Sequence, residues 1–537
     1  SKKNMRREFL GIPLITKTGD GLFANEKKTL PECRVMEIIN TPKAFAALVD
    51  TAIFSLKKEE APDDATMVYV DLRKPNAKSF EITEEQWQQI KTSKENISGW
   101  ERVLEHTFSA LGYKQADWIL SHTCDGDKVF KDQNSSLLKF KLSFEPYRKA
   151  INYAIFSPTT YNCQILEKIV KPARPVFDSW WNKIETSRNI EQNRKEIKNY
   201  TDKLKPGDIT MIGLLTDGGQ GLATGNNGQF VGYKKGTHLA DRCKETRVEK
   251  LYNVILDKPE IKAKWNLLKD VETKQDVEDI LNSITEQEIW KIFDEIKAEF
   301  GLRVFGKGYM YRIIPDNLEF DTSNISDVEK LNGISGFKYW VPYDKGDKEG
   351  NRWYLETPYL IDWSKDAVSV LSTDSRARWQ GYNFFFRNGF CWTNVLNPNS
   401  SYIKCRLKAK SVNDVGSMSL YDELNLGDEY FVTSLNSFLF FKVLREFFNG
   451  SVNVQMNDIR KLPIKIPSAT ELDAFKTKFD ECLDIQKQYF NGDIEKAEAR
   501  KLLKPIELEI DEMVNKLYGI TAEVKDEEIE DVVEELE

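Results

Sequence analysis

The sequence predicts a multidomain protein of the α/β and α+β classes, and three observations support this prediction. The chain has 537 residues, too many for one hydrophobic core, so about three domains are expected from length alone. Hydrophobic residues make up 40% of the chain and aromatic residues 12%, which is sufficient for globular packing. Segments with strand-like alternation and segments with helical spacing occupy different parts of the chain.

Three strands are predicted within residues 1–75. The segments 34–39, 49–56 and 66–72 are rich in apolar residues, which partly alternate with polar ones and partly form continuous runs. Such patterns are typical of a sheet that is covered on at least one face. An Asn-Thr-Pro sequence at 40–42 provides a break between the first two strands.

Residues 76–205 predict a largely helical connector. Thr83 and Gln86 have the spacing of a capping box, which marks the start of a helix. Apolar residues recur with helical spacing from 165 to 184 and give way to a charged stretch at 191–203. This pattern indicates connecting helices rather than a core.

Residues 206–467 predict a mixed α/β domain. Its composition changes at Pro206-Gly207, and glycine and asparagine cluster at 218–228. A capping box at Thr285 predicts a helix over 285–300, which Gly301 ends. Short strands and aromatic-rich turns are expected from there to residue 467, with one embedded helix near 430–448.

The C-terminal part predicts a helical hairpin over 468–520 and an acidic, disordered tail over 521–537. Two amphipathic stripes are separated by Asn491-Gly492-Asp493, which suggests two antiparallel helices. The segment 525–537 holds eight acidic residues and one lysine, so it carries −7 of the net charge of −8 and the rest of the chain carries −1. Any binding of nucleic acid must therefore depend on local patches.

Several classes of protein are excluded by composition. The seven cysteines lack a Cys-x-x-Cys spacing and the three histidines are dispersed, which argues against a zinc site or a disulfide framework. We expect reduced cysteines, a cytoplasmic location and no bound metal. No apolar stretch is long enough to span a membrane, and no leader sequence is apparent, so neither a membrane partner nor secretion is expected.

The glycine-rich run at 218–228 is the first candidate site. It lacks the lysine of a phosphate-binding loop, and its nearest dinucleotide-type spacing is one residue too long, so nucleotide hydrolysis is not expected. One interpretation is a tight, exposed loop. The other is a loop in which the backbone, Thr224 and Asn226 approach a nucleic acid.

A basic alternating segment at 401–411 is the second candidate. As a strand it would place four cations on one face, about 6.6–6.8 Å apart, and they would repel each other unless a polyanion lay along them. The alternative is a solvated edge strand protected by lysines. The four cations are Lys404, Arg406, Lys408 and Lys410, with Arg376, Arg378 and Arg387 nearby in the sequence.

The segment 338–354 mixes aromatic residues with cations and is the third candidate. Lys345, Arg352 and Trp353 could pair with phosphates or stack on bases, as aromatics and cations do in nucleic-acid grooves. The same residues are also ordinary core and rim residues of a β-rich domain. Composition alone leaves both interpretations open.

No catalytic residues are predicted. An adenine-N6 methyltransferase needs an Asn/Asp-Pro-Pro-Tyr/Phe loop to hold the flipped base, and this tetrapeptide does not occur in the sequence. No glycine-rich cofactor turn follows an early strand. A convincing nuclease cluster of paired carboxylates and lysine is also missing.

Several stretches together resemble the C-terminal part of gamma-class adenine-N6 DNA methyltransferases of the BREX phage-defence and type IIG restriction-modification type. The segment 45–58 is similar to the late strand pair of their methyltransferase domain, and Gly221 to Phe230 resembles the loop that opens their target-recognition domain. The other similar segments are 339–363, 430–437, 453–464 and 507–520.

The resemblance implies that residues 1–75 are a remnant of a Rossmann-like methyltransferase sheet and that 206–467 recognise duplex DNA sequence-specifically. Phe45 stands where the family places an aromatic against the flipped adenine, although it is equally suited to a core. The intact enzyme would use S-adenosylmethionine, which this chain alone is not expected to bind. The implied partners are double-stranded DNA, a catalytic region in the same polypeptide or on a separate chain, and other proteins of the defence system.

Two alternatives remain open. The chain could be a separate specificity subunit that docks a catalytic methyltransferase chain through its C-terminal helices. It could also be a DNA mimic or inhibitor that acts through its acidic tail.

Overall fold

The protein combines helices with small mixed sheets, so the predicted α/β multidomain class is confirmed. The computed structural model describes residues 34–41, 51–57, 66–71, 138–143, 151, 156, 159–187, 191–306, 310–347, 350–396, 402–449 and 453–521. Within them, no helix has the length and apolarity that crossing a membrane requires. Phe45, the capping box at Thr83 and residues 522–537 of the acidic tail lie outside these ranges.

The chain divides into two compact units, and each unit is made of segments that are not continuous in the sequence. The first unit comprises 1–217, 394–405 and 422–537, and the second comprises 218–393 and 406–421. The segment 206–467, treated above as one domain, therefore contributes residues to both units.

The first unit contains a four-stranded sheet near its N-terminus. The strand Arg34–Thr41 pairs antiparallel with Thr51–Lys57 and parallel with Thr66–Asp71, which in turn pairs antiparallel with Leu138–Ser143. The first three strands match the predicted ones to within two residues at each end. The fourth was not predicted, because its alternating lysines lie in a stretch that otherwise reads as helical.

Helices form most of the rest of the first unit. Thr159 caps the first of them by accepting a hydrogen bond from the Asn162 backbone N–H, and the apolar residues spaced over 165–184 are mostly buried. The helical segments are Thr160–Ile165, Leu166–Val170, Lys171–Ser187, Glu191–Thr201, Ile212–Leu215, Asp428–Leu435, Phe438–Val443, Leu444–Phe448 and Met456–Arg460. The short strands are Ile209–Met211, Thr216–Asp217 and Pro463–Lys465.

The predicted C-terminal hairpin is present as the helices Ala469–Asn491 and Lys496–Tyr518. A capping box at Ser468 begins the first helix, and Gly492, in the left-handed conformation, ends it. The apolar stripe of the hairpin packs on the preceding helices of its own unit. Ring centroids are 5.0 Å apart for Tyr430 and Phe475, and 6.0 Å apart for Phe440 and Tyr518.

The second unit is built on a five-stranded mixed sheet. Along the sheet the strands are Val412–Asn413, Trp340–Asp344, Tyr359–Asp362, Val231–Lys234 and Arg312–Ile314. The outer two pairs are parallel and the inner two are antiparallel. A large aromatic core covers the sheet, with Trp363 at its centre, stacked on Trp379 at a ring distance of 5.5 Å.

A helical insert lies between two neighbouring strands of this sheet, Val231–Lys234 and Arg312–Ile314. The predicted helix at 285–300 is confirmed as part of it, with the Thr285–Glu288 capping box present. Buried Arg247 pairs with Glu286 at 2.6 Å, and the same carboxylate accepts the Ile313 backbone N–H, which ties the insert to the sheet. The helices are His238–Asp257, Glu260–Lys264, Asn266–Leu268, Lys274–Ser283 and Glu286–Phe300.

The remaining elements of the second unit are short. The strand Gly389–Thr393 pairs antiparallel with Ser417–Asp422 and also neighbours Cys405–Lys408. The short helices are Asn227–Phe230, Asp316–Leu318, Thr322–Asn324, Asp327–Asn332, Lys365–Thr373 and Tyr382–Phe384.

Candidate nucleic-acid interface

The glycine-rich segment lies side by side with a second segment of the chain, and the two run antiparallel. Ala223 and Arg378 exchange both backbone hydrogen bonds, at 3.2 and 2.8 Å. The Gln380 side-chain amide donates to the Gly221 carbonyl at 3.0 Å. We call residues 219–229 and 374–384 the paired loops.

The paired loops approach each other so closely that glycine is required at their contacts. A Cβ at Gly381, whose φ is +70°, would overlap the carbonyl oxygen of Gln220. A Cβ at Gly221 would overlap the carbonyl oxygens of Asn413 and Asp414. The glycine cluster therefore allows close backbone packing, and this packing fixes the loop that follows it.

Thr224 and Asn226 occupy different environments in this loop. Thr224 is buried, and its hydroxyl donates to the Asn227 side-chain carbonyl at 2.5 Å. The prediction that Thr224 faces a nucleic acid through its side chain is therefore wrong. Asn226 is exposed, and its amide donates to the side-chain carbonyl of the exposed Gln229 at 3.2 Å.

Arg376 and Arg378 lie on the exposed side of the second loop. Arg376 lies in a turn and Arg378 at the bridge to Ala223, and both side chains are exposed, while Trp379 packs against the core. Arg376 is 70% exposed and binds Asp374 through Nη2 at 2.7 Å. Hydrogen bonds from Arg376 lower the pKa of Asp374 to about 2, so this carboxylate is charged at neutral pH.

Three further residues of the paired loops were not predicted. Gln229 and Tyr382 are exposed at the surface of the paired loops, and Asp374 orients Arg376. The pairing of the two loops joins positions more than 150 residues apart, such as Gln380 and Gly221, which local patterns do not reveal.

The basic segment at 401–411 does not form an exposed cationic strand, so that prediction is wrong. The strand spans only Cys405–Lys408, and the side chains of Arg406 and Lys408 are buried, with 2% and 3% of their surface exposed. The Lys408 ammonium donates to the backbone carbonyls of Arg387, Ala409 and Ser411.

The two outer cations of the segment also differ from the prediction. Lys404 has a left-handed backbone, with φ of +60°, and lies in the first unit. Lys410 lies in the second unit and donates to the Ser323 carbonyl at 3.2 Å. Strict alternation is lost because the segment is strand-like at only four residues.

Arg406 is held by Asp344, which is buried at the end of the strand Trp340–Asp344. The guanidinium donates to the carboxylate at 2.7 Å, and the Cys391 thiol donates to the same group at 3.2 Å. Burial by itself would raise the pKa of Asp344, but the positive charges of Arg406 and Lys408 outweigh it and the net pKa is lowered. The ion pair is therefore part of the interior of the unit.

The aromatic and basic segment at 338–354 is also largely interior. Trp353 is fully buried with φ of +68°, and its carbonyl accepts the Leu407 backbone N–H at 3.2 Å. Arg352 is buried beside it, so the prediction that these two side chains face nucleic acid is wrong. Lys345 is partly exposed and pairs with Asp414 at 3.4 Å, whose carboxylate also accepts the Tyr343 hydroxyl.

Stability is expected to depend on pH through Asp344. A carboxyl group whose pKa is lower in the folded chain than its unfolded value of about 3.9 stabilises the fold above that value, and the contribution is lost as the pH falls through the folded pKa. The urea midpoint of the wild-type protein should therefore approach that of the Asp344→Asn variant as the pH is lowered from about 7 to about 3. A gap between the two midpoints that stays constant over this range would contradict the assignment.

The described residues contain no group of three or more His, Cys, Asp or Glu side chains that could hold a metal ion. The cysteines among them, Cys163, Cys243, Cys391, Cys405 and Cys482, are free and buried. The exposed polar groups of the paired loops are amides, guanidinium groups and a phenol.

No protein-family model matches the sequence, and no curated protein matches it. Among solved structures, the chain is similar to a Type IIL restriction-modification enzyme, MmeI, determined in complex with DNA. The similarity has a TM-score of 0.20 and a sequence identity of 12%, and it covers 27% of this chain and 20% of the enzyme's chain. The chain thus spans about one fifth of that enzyme's length, and the enzyme's activity is not carried over to it.

Proposed function

We propose that this chain is the sequence-recognition part of an adenine-N6 DNA methyltransferase from a restriction-modification or phage-defence system. In this proposal it binds duplex DNA through the outer face of the paired loops. The observation that carries the proposal is the set of exposed side chains on the paired loops, namely the guanidinium groups of Arg376 and Arg378, the amides of Asn226 and Gln229, and the phenol of Tyr382. Arginine, asparagine and glutamine make the bidentate contacts that distinguish guanine and adenine in the major groove.

The charge of this face favours a polyanion. Its acidic residue, Asp374, is already engaged by Arg376, and Arg378 adds a second exposed cation. The resemblance of Gly221 to Phe230 to the opening loop of target-recognition domains supports the same assignment, because that segment is one of the paired loops. Phosphate contacts would orient the duplex, and the amides and one arginine would read base edges.

Methyl transfer is assigned to residues outside this sequence. The tetrapeptide that holds a flipped adenine does not occur in it, so no chemical step is assigned to these residues. S-adenosylmethionine would supply the methyl group in the intact enzyme. The contribution of this chain is to bind the duplex and to position the target site relative to a catalytic region on the same polypeptide or on another chain.

The alternative of a separate specificity subunit that docks through the C-terminal hairpin is less favoured. The apolar stripe that would form such an interface packs on the helices of residues 428–448 in its own unit. A hydrogen bond from the Phe438 backbone N–H to the Asp511 carboxylate, at 2.7 Å, adds to this packing. Size-exclusion chromatography with a methyltransferase partner distinguishes the two roles.

Replacing both Arg376 and Arg378 by alanine is expected to weaken duplex binding and to reduce its salt dependence. Each phosphate contact contributes about 0.9 to the slope of log Kd against log salt concentration. The slope should fall by roughly one to two units, depending on whether one arginine or both contact phosphate. Gel-shift titrations of the full chain at several salt concentrations measure the effect.

A matched control removes the same charge elsewhere in the second unit. Lys244 and Lys291 lie on the helical insert, with 54% and 75% of their side chains exposed. The Lys244→Ala/Lys291→Ala variant should keep the affinity and salt slope of the wild-type protein within a small margin. If both double variants lost the same affinity for duplex DNA, the paired loops would not be the DNA-binding surface.

A further inference from the structure

We propose that Arg376 reads a guanine in the major groove and that Asp374 is the positioning residue that aims its guanidinium. This inference rests on the proposed function of the paired loops. It adds to that function by assigning base reading to Arg376 and phosphate binding to Arg378.

Asp374 holds one edge of the Arg376 guanidinium and leaves the other toward solvent. Nε donates to Oδ1 at 3.2 Å and Nη2 donates to Oδ2 at 2.7 Å. The same carboxylate accepts the Arg376 backbone N–H at 2.9 Å, so it is anchored to the turn that it caps. A guanidinium has five N–H donors in a planar fork, and the edge made by Nη1 and Nη2 therefore remains for a second bidentate partner.

The backbone of Arg376 is also held in place. A Cβ at Gly225 would lie 2.6 Å from the Arg376 carbonyl oxygen, so the two loops are in close contact at this position. The hydrogen bonds between Ala223 and Arg378 hold the next residues along the chain. A side chain that is fixed at both its Cα and its head group loses little entropy when it binds, which favours specific recognition.

Arg378 provides the contrast. It is exposed like Arg376, but the residues that the structure describes make no hydrogen bond or ion pair with its guanidinium. A flexible cation of this kind suits a phosphate, whose position is independent of the base sequence. The pre-oriented fork of Arg376 instead matches O6 and N7 of guanine, the commonest specific contact in the major groove.

The test is selection of bound sequences from a randomised duplex library by the full chain, in wild-type form and in four variants. Wild-type protein should enrich a motif that contains a guanine. Arg376→Ala and Arg376→Lys should both lose the preference at that one position, by roughly 5- to 150-fold, because lysine keeps the charge but lacks the fork. Arg378→Ala should keep the motif and weaken binding to all sequences alike.

A base analogue distinguishes direct reading from a loss of folding. Replacing the guanine by 7-deazaguanine removes the N7 acceptor, so wild-type protein should lose affinity while Arg376→Ala should not change further. An Asp374→Asn variant should lose part of the guanine preference and should bind duplexes without the guanine at least as tightly as wild-type protein, because a negative charge is removed. An unchanged motif in Arg376→Ala, or a motif without guanine, overturns the inference. Absence of any enrichment by the wild-type chain overturns the proposed function instead.

Discussion

Replacing Asp344 by asparagine is expected to destabilise the second unit by roughly 3–5 kcal/mol, because it removes the carboxylate that pairs with the buried Arg406 guanidinium. Arg406 is 2% exposed and Asp344 is 5% exposed, so water cannot solvate the guanidinium when the carboxylate is removed. Urea unfolding followed by tryptophan fluorescence measures the loss, since Trp353 and Trp363 lie in the same unit.

The control for this prediction is an ion pair of similar length at the surface. Asp327 pairs with Lys330 at 2.8 Å, and its side chain is 95% exposed. Water and salt screen such a pair, so Asp327→Asn should shift the urea midpoint far less than Asp344→Asn. Comparable shifts in the two variants would mean that the interior pair contributes no more than a surface pair.

Replacing Gly381 by alanine is expected to cost roughly 2–5 kcal/mol and to abolish sequence-specific DNA binding. A left-handed backbone costs about 1–2 kcal/mol for a residue with a Cβ, and overpacking adds typically 1–3 kcal/mol. The added Cβ would overlap the Gln220 carbonyl, so the paired loops must separate. Unfolding and gel-shift measurements on the same variant report both effects.

Gly236→Ala is the matched control, because it keeps the backbone strain and removes the overlap. Gly236 has φ of +80°, and nothing lies within 4 Å of a Cβ added there. This variant should lose only about 1–2 kcal/mol and bind DNA as the wild-type protein does. If both variants lost the same stability and neither changed DNA binding, close approach of the two loops would not be the reason for glycine at 381.

Local structure was predicted well wherever a periodic pattern and its end signals lay close together in the sequence. The helix after Thr285 and the hairpin around Gly492 follow from apolar spacing, a capping box and a left-handed glycine. The three N-terminal strands follow from alternating and continuous apolar runs. These signals act over a few residues, so they do not need knowledge of the tertiary structure.

The roles of the charged residues were predicted poorly because their partners are distant in the sequence. Alternation at 404–410 has the same appearance whether the cations face water or a buried acid. Arg406 pairs with Asp344, 62 positions away, and one of the carbonyls that Lys408 binds belongs to Arg387, 21 positions away. The burial of Arg406 and Lys408 therefore results from tertiary packing, which cannot be predicted from the composition of the segment.

For the glycine-rich run at 218–228, the sequence and the tertiary structure each determine a different property. Its sequence by itself determined that the backbone here turns tightly and that nucleotide hydrolysis is not expected, because glycine permits such conformations and a phosphate-binding lysine is missing. Only the tertiary structure decided that the run lies against residues 374–384, where Asn226, Arg376 and Arg378 belong to one pair of loops. The physical reason is that hydrogen bonds and close contacts between segments more than 150 residues apart form only when the sheet and its aromatic core have brought them together.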